Sequence, residues 1–184
     1  RTDPVEEAVL EACLESFALS PSVGLSEPWR VIRVESDTAR AAALANYKAA
    51  NADALAGYDG EKAALYSQLK LSGMQEAPVQ LSVFCAEETA KGSGLGAQTM
   101  PEMRRYSVVS AITQFWLAAR ARGIGVGWVS ILDPDQLCAD LDVPEDWRLV
   151  GYLCVGWPEE DHETPELERA GWDSRAQGLI VESR

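Results

Sequence analysis

Apolar positions recur at three- and four-residue intervals near the start of the chain, where Val9, Cys13 and Phe17 run alongside Leu10 and Leu14. That spacing places one core-facing stripe on a helix. The helix is expected from about Pro4 to Leu19, because Asp3, Pro4 and Glu6 form the pattern of a capping box. Ser20-Pro21-Ser22-Val23-Gly24 ends it, and the β-branched run Arg30-Val31-Ile32-Arg33-Val34 reads as a strand. Asp37 can cap an Ala-rich helix to about Leu55, and a second helical stretch covers Glu61 to Leu71. After Ala77-Pro78, Val79 to Cys85 is a second strand, followed by a Gly- and Ser-containing loop from Ala86 to Met100.

Thr99-Met100-Pro101-Glu102 repeats the capping-box pattern and opens a helix to about Arg122. From Val108 to Ala119 this helix is apolar around most of its circumference, so it is expected to be the central buried helix. Gly123 stops it, Gly125 to Ile131 is a third strand, Asp133-Pro134-Asp135-Gln136 caps a short helix, and Arg148 to Val155 is a fourth strand. The acidic tail that follows has no periodicity, and no internal repeat is evident. Strands alternating with helices of mixed length predict one α+β domain over residues 1–184, three layers deep around a mixed sheet. A tail this long without structure of its own is expected to lie across a partner subunit, which predicts a homodimer.

Composition narrows the functional classes. With 184 residues, 47% of them hydrophobic, the chain can bury a substantial core. No stretch approaches the roughly 20 uncharged residues of a membrane span, so a soluble protein without a membrane partner is expected. The sequence starts at Arg1 without the features of a signal peptide, and an upstream segment is expected to be missing. The net charge of −13, with basic residues scattered, argues against nucleic acid as a partner. An anionic ligand stays compatible, because a phosphate needs only a few local cations or a helix N-terminus. Cys13, Cys85, Cys138 and Cys154 are widely spaced and read as buried thiols in a reducing cytoplasm.

Gly123-Ile124-Gly125-Val126-Gly127 is not a dinucleotide fingerprint, because here the helix precedes the strand. The glycines read as a helix stop and as positions where something approaches the strand closely. The one histidine, His162, lies in the acidic run Glu159-Glu160-Asp161, which reads as a solvated face, and neither a zinc pattern nor a G-x-S-x-G elbow is present. Taken alone, these residues name no reaction.

Several segments in order resemble the 5,6-dimethylbenzimidazole synthase branch of the nitroreductase superfamily. Ser20-Pro21-Ser22-Val23-Gly24 with Glu27-Pro28-Trp29 resembles A-P-S-V-G-x-x-Q-P-W, and Tyr66 to Gly73 with Ala77-Pro78 resembles Y-x-x-L-K-L-x-G and A-P. Leu95-Gly96, Pro101, Met103, Tyr106-Ser107 and Trp116 to Ala121 continue it, and Gly125-Val126-Gly127-Trp128-Val129-Ser130-Ile131 is its most specific segment. Tyr152 to Gly156, Pro165 to Glu168 and Gly171-Trp172 extend it to the C-terminal region.

The resemblance implies a nitroreductase-like α/β/α domain whose central sheet is mixed but mostly antiparallel, with FMN at a homodimer interface. It further implies that reduced FMN, supplied by a flavin reductase, is the substrate. Oxygen is consumed, the ribityl chain is cut, and erythrose 4-phosphate leaves with 5,6-dimethylbenzimidazole, the lower ligand of vitamin B12. No metal is implied. Ser130 matches the serine beside the flavin, where a hydroxyl suits proton handling. Pro21, Ser22, Val23 and Gly24 match a loop that reaches the flavin from the neighbouring subunit. Lys70, Gly96, Trp128 and Val129 match further cofactor-binding positions, and Arg175 matches a late arginine near the phosphate. The family's N-terminal R-R-D-x-R stretch would precede Arg1-Thr2-Asp3-Pro4. Ala97 and Gln98 stand where the family has Arg-Thr, Glu27 where it has Gln, and Gln114 where it has Asn. Two alternatives stay open: an FMN-dependent NAD(P)H nitroreductase or flavin reductase, and a non-catalytic flavin-binding protein.

Overall fold

Residues 1–176 and 178–184 are described by a computed structural model of the chain. Alternation along β2 (Val79–Ala86) and β4 (Trp147–Gly156) explains the layering. These strands pair antiparallel, with Leu81 opposite Leu153 and Ser82 opposite Tyr152, so odd and even positions of each serve opposite faces. Leu81, Val83, Cys85, Leu153 and Val155 pack against Cys13, Val108, Ala111, Ile112 and Phe115 on one side. Tyr152 and Cys154 pack with Ala43, Met74 and Leu137 on the other.

Two further strands flank this pair, β1 (Trp29–Arg33) beside β2 and β3 (Gly125–Val129) beside β4, giving the order β1-β2-β4-β3. The first face carries α1 (Glu7–Leu14) and α4 (Met103–Arg120); the second carries α2 (Asp37–Ala56) and α5 (Pro134–Asp140). The expected three-layer α+β arrangement is present. All three strand pairings are antiparallel, so the parallel component of a mixed sheet is absent among the described residues.

Local structure departs from expectation where side chains find other partners. α1 stops at Leu14 and continues as a 3-10 turn over Glu15–Leu19; its N-cap is Glu6, and Asp3 binds the Arg1 guanidinium instead of capping. The second capping box does not form either, because the Thr99 hydroxyl donates to the Gly96 carbonyl. Ser36, rather than Asp37, caps α2 by accepting from the Ala39 amide. Asp133 caps α5 as expected, accepting from the amides of Asp135 and Gln136. α3 (Gly60–Gln68) is shorter than predicted because Leu69 turns extended.

The sheet covers only one side of α4. Tyr106, Val109, Trp116 and Leu117 stay exposed on the other, so the apolar circumference read from the sequence is a half-buried helix in the single chain. Gly123, with φ of 76°, occupies the left-handed position that ends α4, and the Ile124 amide reaches back to the Ala119 carbonyl.

A glycine-floored cleft as the candidate active site

β3 lies at the sheet edge, and its outer side has no strand partner among the described residues. Gly125 and Gly127 face the α2 side of the sheet, together with Val129, opposite Gly156, Cys154 and Tyr152 of β4. Neither glycine is in left-handed backbone. A Cβ built on Gly127 comes no closer than 3.8 Å to its neighbours, and one on Gly125 no closer than 3.5 Å. The chain's own packing therefore does not demand glycine here. What a side chain would fill is the cleft above, about 470 Å³.

Opposite the floor, the cleft wall runs from Lys70 to Gly73 and includes Glu76 and Ala77. Buried hydrogen bonds fix this wall to the sheet: the Tyr152 hydroxyl donates to Gln80 Oε1 at 2.5 Å, and Gln80 Nε2 donates to the Met74 carbonyl at 2.7 Å. A fully paired buried amide and hydroxyl hold their geometry well. The other wall is the segment from Gly156 to Arg169, including Trp157, Glu159, His162 and the short helix α6 (Glu166–Arg169). The Arg1 backbone nitrogen lies 2.8 Å from the Trp157 carbonyl, and the Trp157 indole donates to the Pro4 carbonyl at 3.1 Å. Arg1 also holds the Asp3 carboxyl below its ordinary value through the hydrogen bond and charge between them.

The charges around the cleft are mixed. Arg1, Lys70 and Arg169 supply cations, while Glu76, Glu159, Glu160 and Glu166 oppose them. Lys70 lies 3.5 Å from Glu159, and His162 lies 2.7 Å from Glu160. Burial pushes the Cys154 thiol up to about 11, so at neutral pH it is a protonated lining group and not a nucleophile.

The residues singled out in the sequence fall in three places. Lys70, Trp128 and Val129 line the cleft. The Trp128 indole lies over Gly151 on the opposite face of the sheet, which leaves the backbone of this edge strand toward the cleft. Ser130 follows directly, exposed beyond the end of β3 and outside the cleft lining. The strand ends two residues earlier than predicted. Just beyond it the chain is pinned by Asn46, whose side-chain amide donates to the Asp133 carbonyl at 2.9 Å and accepts from the Asp133 amide at 2.8 Å.

Pro21, Ser22, Val23, Gly24 and Gly96 form a second group. The Val23 amide donates to Ser107 near the start of α4 at 3.0 Å, and a Cβ on Gly24 would stand 2.6 Å from the Leu95 carbonyl. This loop borders the exposed side of α4, where Leu25, Leu95, Met100 and Tyr106 are also exposed. Arg175 is exposed in the C-terminal segment and does not line the cleft. Sequence reasoning missed Glu76, Cys154, His162 and Arg169. The acidic run around His162, read as a solvated face, forms the cleft rim.

The model of the family described as "Nitroreductase family" matches residues 1–157. The chain belongs to the nitroreductase family. It is 54% identical over 181 residues to a 5,6-dimethylbenzimidazole synthase of Rhodospirillum rubrum, covering 98% of this chain and 86% of that protein. A protein of the same name from Rhodobacter capsulatus is 48% identical over 172 residues, covering 94% of this chain and 83% of its own length. Among solved structures, iodotyrosine deiodinase bound to FMN and 3-iodo-L-tyrosine superposes with a TM-score of 0.77 at 19% identity, covering 100% of this chain and 91% of that one. A BluB-like flavoprotein of Clostridium difficile gives 0.67 at 16% identity, over 90% and 87% of the two chains. At these identities the structural likeness is one of fold.

Proposed function

We propose that this protein makes 5,6-dimethylbenzimidazole by oxygen-dependent fragmentation of reduced FMN, releasing erythrose 4-phosphate. The observation that carries this reading is the 54% identity, across 98% of the chain, to a relative bearing that synthase name. The cleft supports it with chemistry suited to a flavin. A floor without side chains at Gly125 and Gly127 accepts a flat ring at van der Waals distance. The free edge of β3 offers backbone N–H and C=O groups to the polar rim of such a ring. When bound, reduced FMN supplies the electrons that oxygen consumes and the ring that becomes the benzimidazole.

The protein's own residues bind, orient and move protons. Lys70 offers a cation at the cleft wall. Ser130, at the end of the floor strand, would give and take a proton at the edge of a bound flavin, and Asn46 pins the chain a few residues further on at Asp133. The loop Pro21–Gly24 and Gly96, which do not line the chain's own cleft, serve the cleft of a second copy in a homodimer. The exposed Tyr106, Val109, Trp116 and Leu117 of α4 form the apolar face of that dimer.

One observation favours the flavin-reductase alternative. Ala97, at a position where the synthases resembled have Arg, is buried at 5% exposure, so no cation stands there. A flavin mass balance separates the two readings. With reduced FMN and air, total flavin falls as a synthase turns over and is conserved by a reductase. Conserved flavin overturns the proposal.

A further inference from the structure

The two walls of the cleft come from segments far apart in sequence, and an aromatic cluster outside the cleft ties them together. α3 ends at Gln68, just before Lys70, and α6 ends at Arg169, just before Trp172. Trp172 packs edge-on against Tyr58 and Tyr66 at ring-centroid distances of 5.5 and 6.1 Å, and the two tyrosines stack at 5.1 Å. Lys62 of α3 sits 3.7 Å from the centroid of the Trp172 ring and donates to the Trp172 carbonyl at 2.8 Å. Tyr66 is buried, and its hydroxyl donates to Asn51 of α2 at 2.8 Å, so the cluster is anchored in the helical layer beneath.

Among the described residues, the only hydrogen bond or ion pair that joins the walls directly is the one between Lys70 and Glu159. The pair between Lys70 and Glu159 spans 3.5 Å with both side chains more than half exposed, a geometry that contributes little. α6 has four residues, too few to be stable by itself. Glu166 and Arg169 are therefore placed in part by what holds the chain immediately after them, while the segment before them is tied to α4 by the ion pair of Arg120 with Asp161.

We infer that Trp172 is a positioning residue for the cleft: through Tyr58, Tyr66 and Lys62 it latches the C-terminal wall to the helix that leads into Lys70, and release of the latch opens the cleft to its flavin. The inference rests on the reading of the cleft as the flavin site. Edge-to-face and cation–π contacts each shift such an open–closed balance by up to about tenfold. An apparent dissociation constant rises by the factor by which the closed population falls.

The test uses the full-length protein, FMN titrated by fluorescence quenching, and hydrogen exchange with and without FMN. In the wild type, FMN slows exchange at residues 70–73 and 158–169. Trp172→Ala weakens FMN binding by about tenfold and speeds exchange at 158–169 in the free protein, with kcat for flavin consumption within about twofold at saturation. Trp172→Phe, which keeps ring contacts with both tyrosines, recovers affinity to within about threefold, and Lys62→Met falls between. Wild-type affinity and unchanged exchange in Trp172→Ala overturn the latch, as does a fall in kcat and thermal midpoint with affinity unchanged. Absence of FMN protection at the cleft of the wild type removes the flavin-site reading itself, a different result from any of these.

Discussion

Gly127 and Cys154 stand opposite each other across the β3–β4 ladder, and a Cβ built on Gly127 lies 3.9 Å from the Cys154 Cβ. That is ordinary contact, so the strand itself tolerates a side chain at this position. Gly127→Val is accordingly expected to fold with a thermal midpoint within a few degrees of wild type, since β-branched residues suit strands. Its FMN affinity should fall by at least about 100-fold, because the branched side chain occupies the ring's place. Calorimetry and flavin titration on the same sample check both halves, and a stable variant that binds FMN normally would refute the assignment of the floor.

Ser130 is exposed at the end of the same strand, where the chain leaves the sheet. Ser130→Ala loses one neutral hydrogen bond, so FMN binding should change by no more than about 1 kcal/mol. Benzimidazole formation should fall roughly 100-fold or more, the scale for loss of a positioned proton donor or acceptor. Equal product from both proteins would leave the substrate in place and remove this role for Ser130.

The exposed side of α4 carries Trp116 at 47% and Leu117 at 56% exposure. If that face is the homodimer contact, Trp116→Glu should give a monomer at micromolar concentration by sedimentation, because burying an unpaired carboxylate at an interface opposes association strongly. The monomer should also bind FMN weakly, since Pro21–Gly24 would no longer reach a neighbour's cleft. A stable wild-type monomer would contradict the dimer outright.

Burial pushes the thiols of Cys85 and Cys154 up to about 11, from 9.0. Above pH 9 the unfolded chain gives up these protons first, so the native state holds more of them and stability falls with rising pH. Each thiol should account for roughly 2 kcal/mol of lost stability by pH 10.5. Below about pH 8 neither contributes to a slope. Urea midpoints at pH 8 and 10.5 for Cys85→Ala and Cys154→Ala check this: each variant should lose less between the two pH values than wild type does.

The helices and strands were legible because their signals are local. Apolar periodicity located the stripe of α1, and β-branched runs located β1 and β2, whereas the all-round apolar character read for α4 belongs to a helix with only one side buried. Both capping boxes near Asp3 and Thr99 failed because the chain offered those side chains other partners, Arg1 and the Gly96 carbonyl. The glycines of β3 were recognisable as a place of close approach, yet the walls above them were not. Those walls depend on contacts distant in sequence, such as the Tyr152–Gln80–Met74 hydrogen bonds and the Lys62–Trp172 contact. No periodicity marks such residues. The acidic run around His162 is solvent-exposed as read, and only the path of the tail, which local sequence does not show, brings it to the cleft rim.

The central claim is that the cleft converts reduced FMN rather than recycling it. The most direct measurement supplies chemically reduced FMN and oxygen to the protein and quantifies 5,6-dimethylbenzimidazole and erythrose 4-phosphate by chromatography. The account predicts both products, formed in equal amounts as FMN disappears. Oxidised FMN and hydrogen peroxide alone, with no benzimidazole, would contradict it.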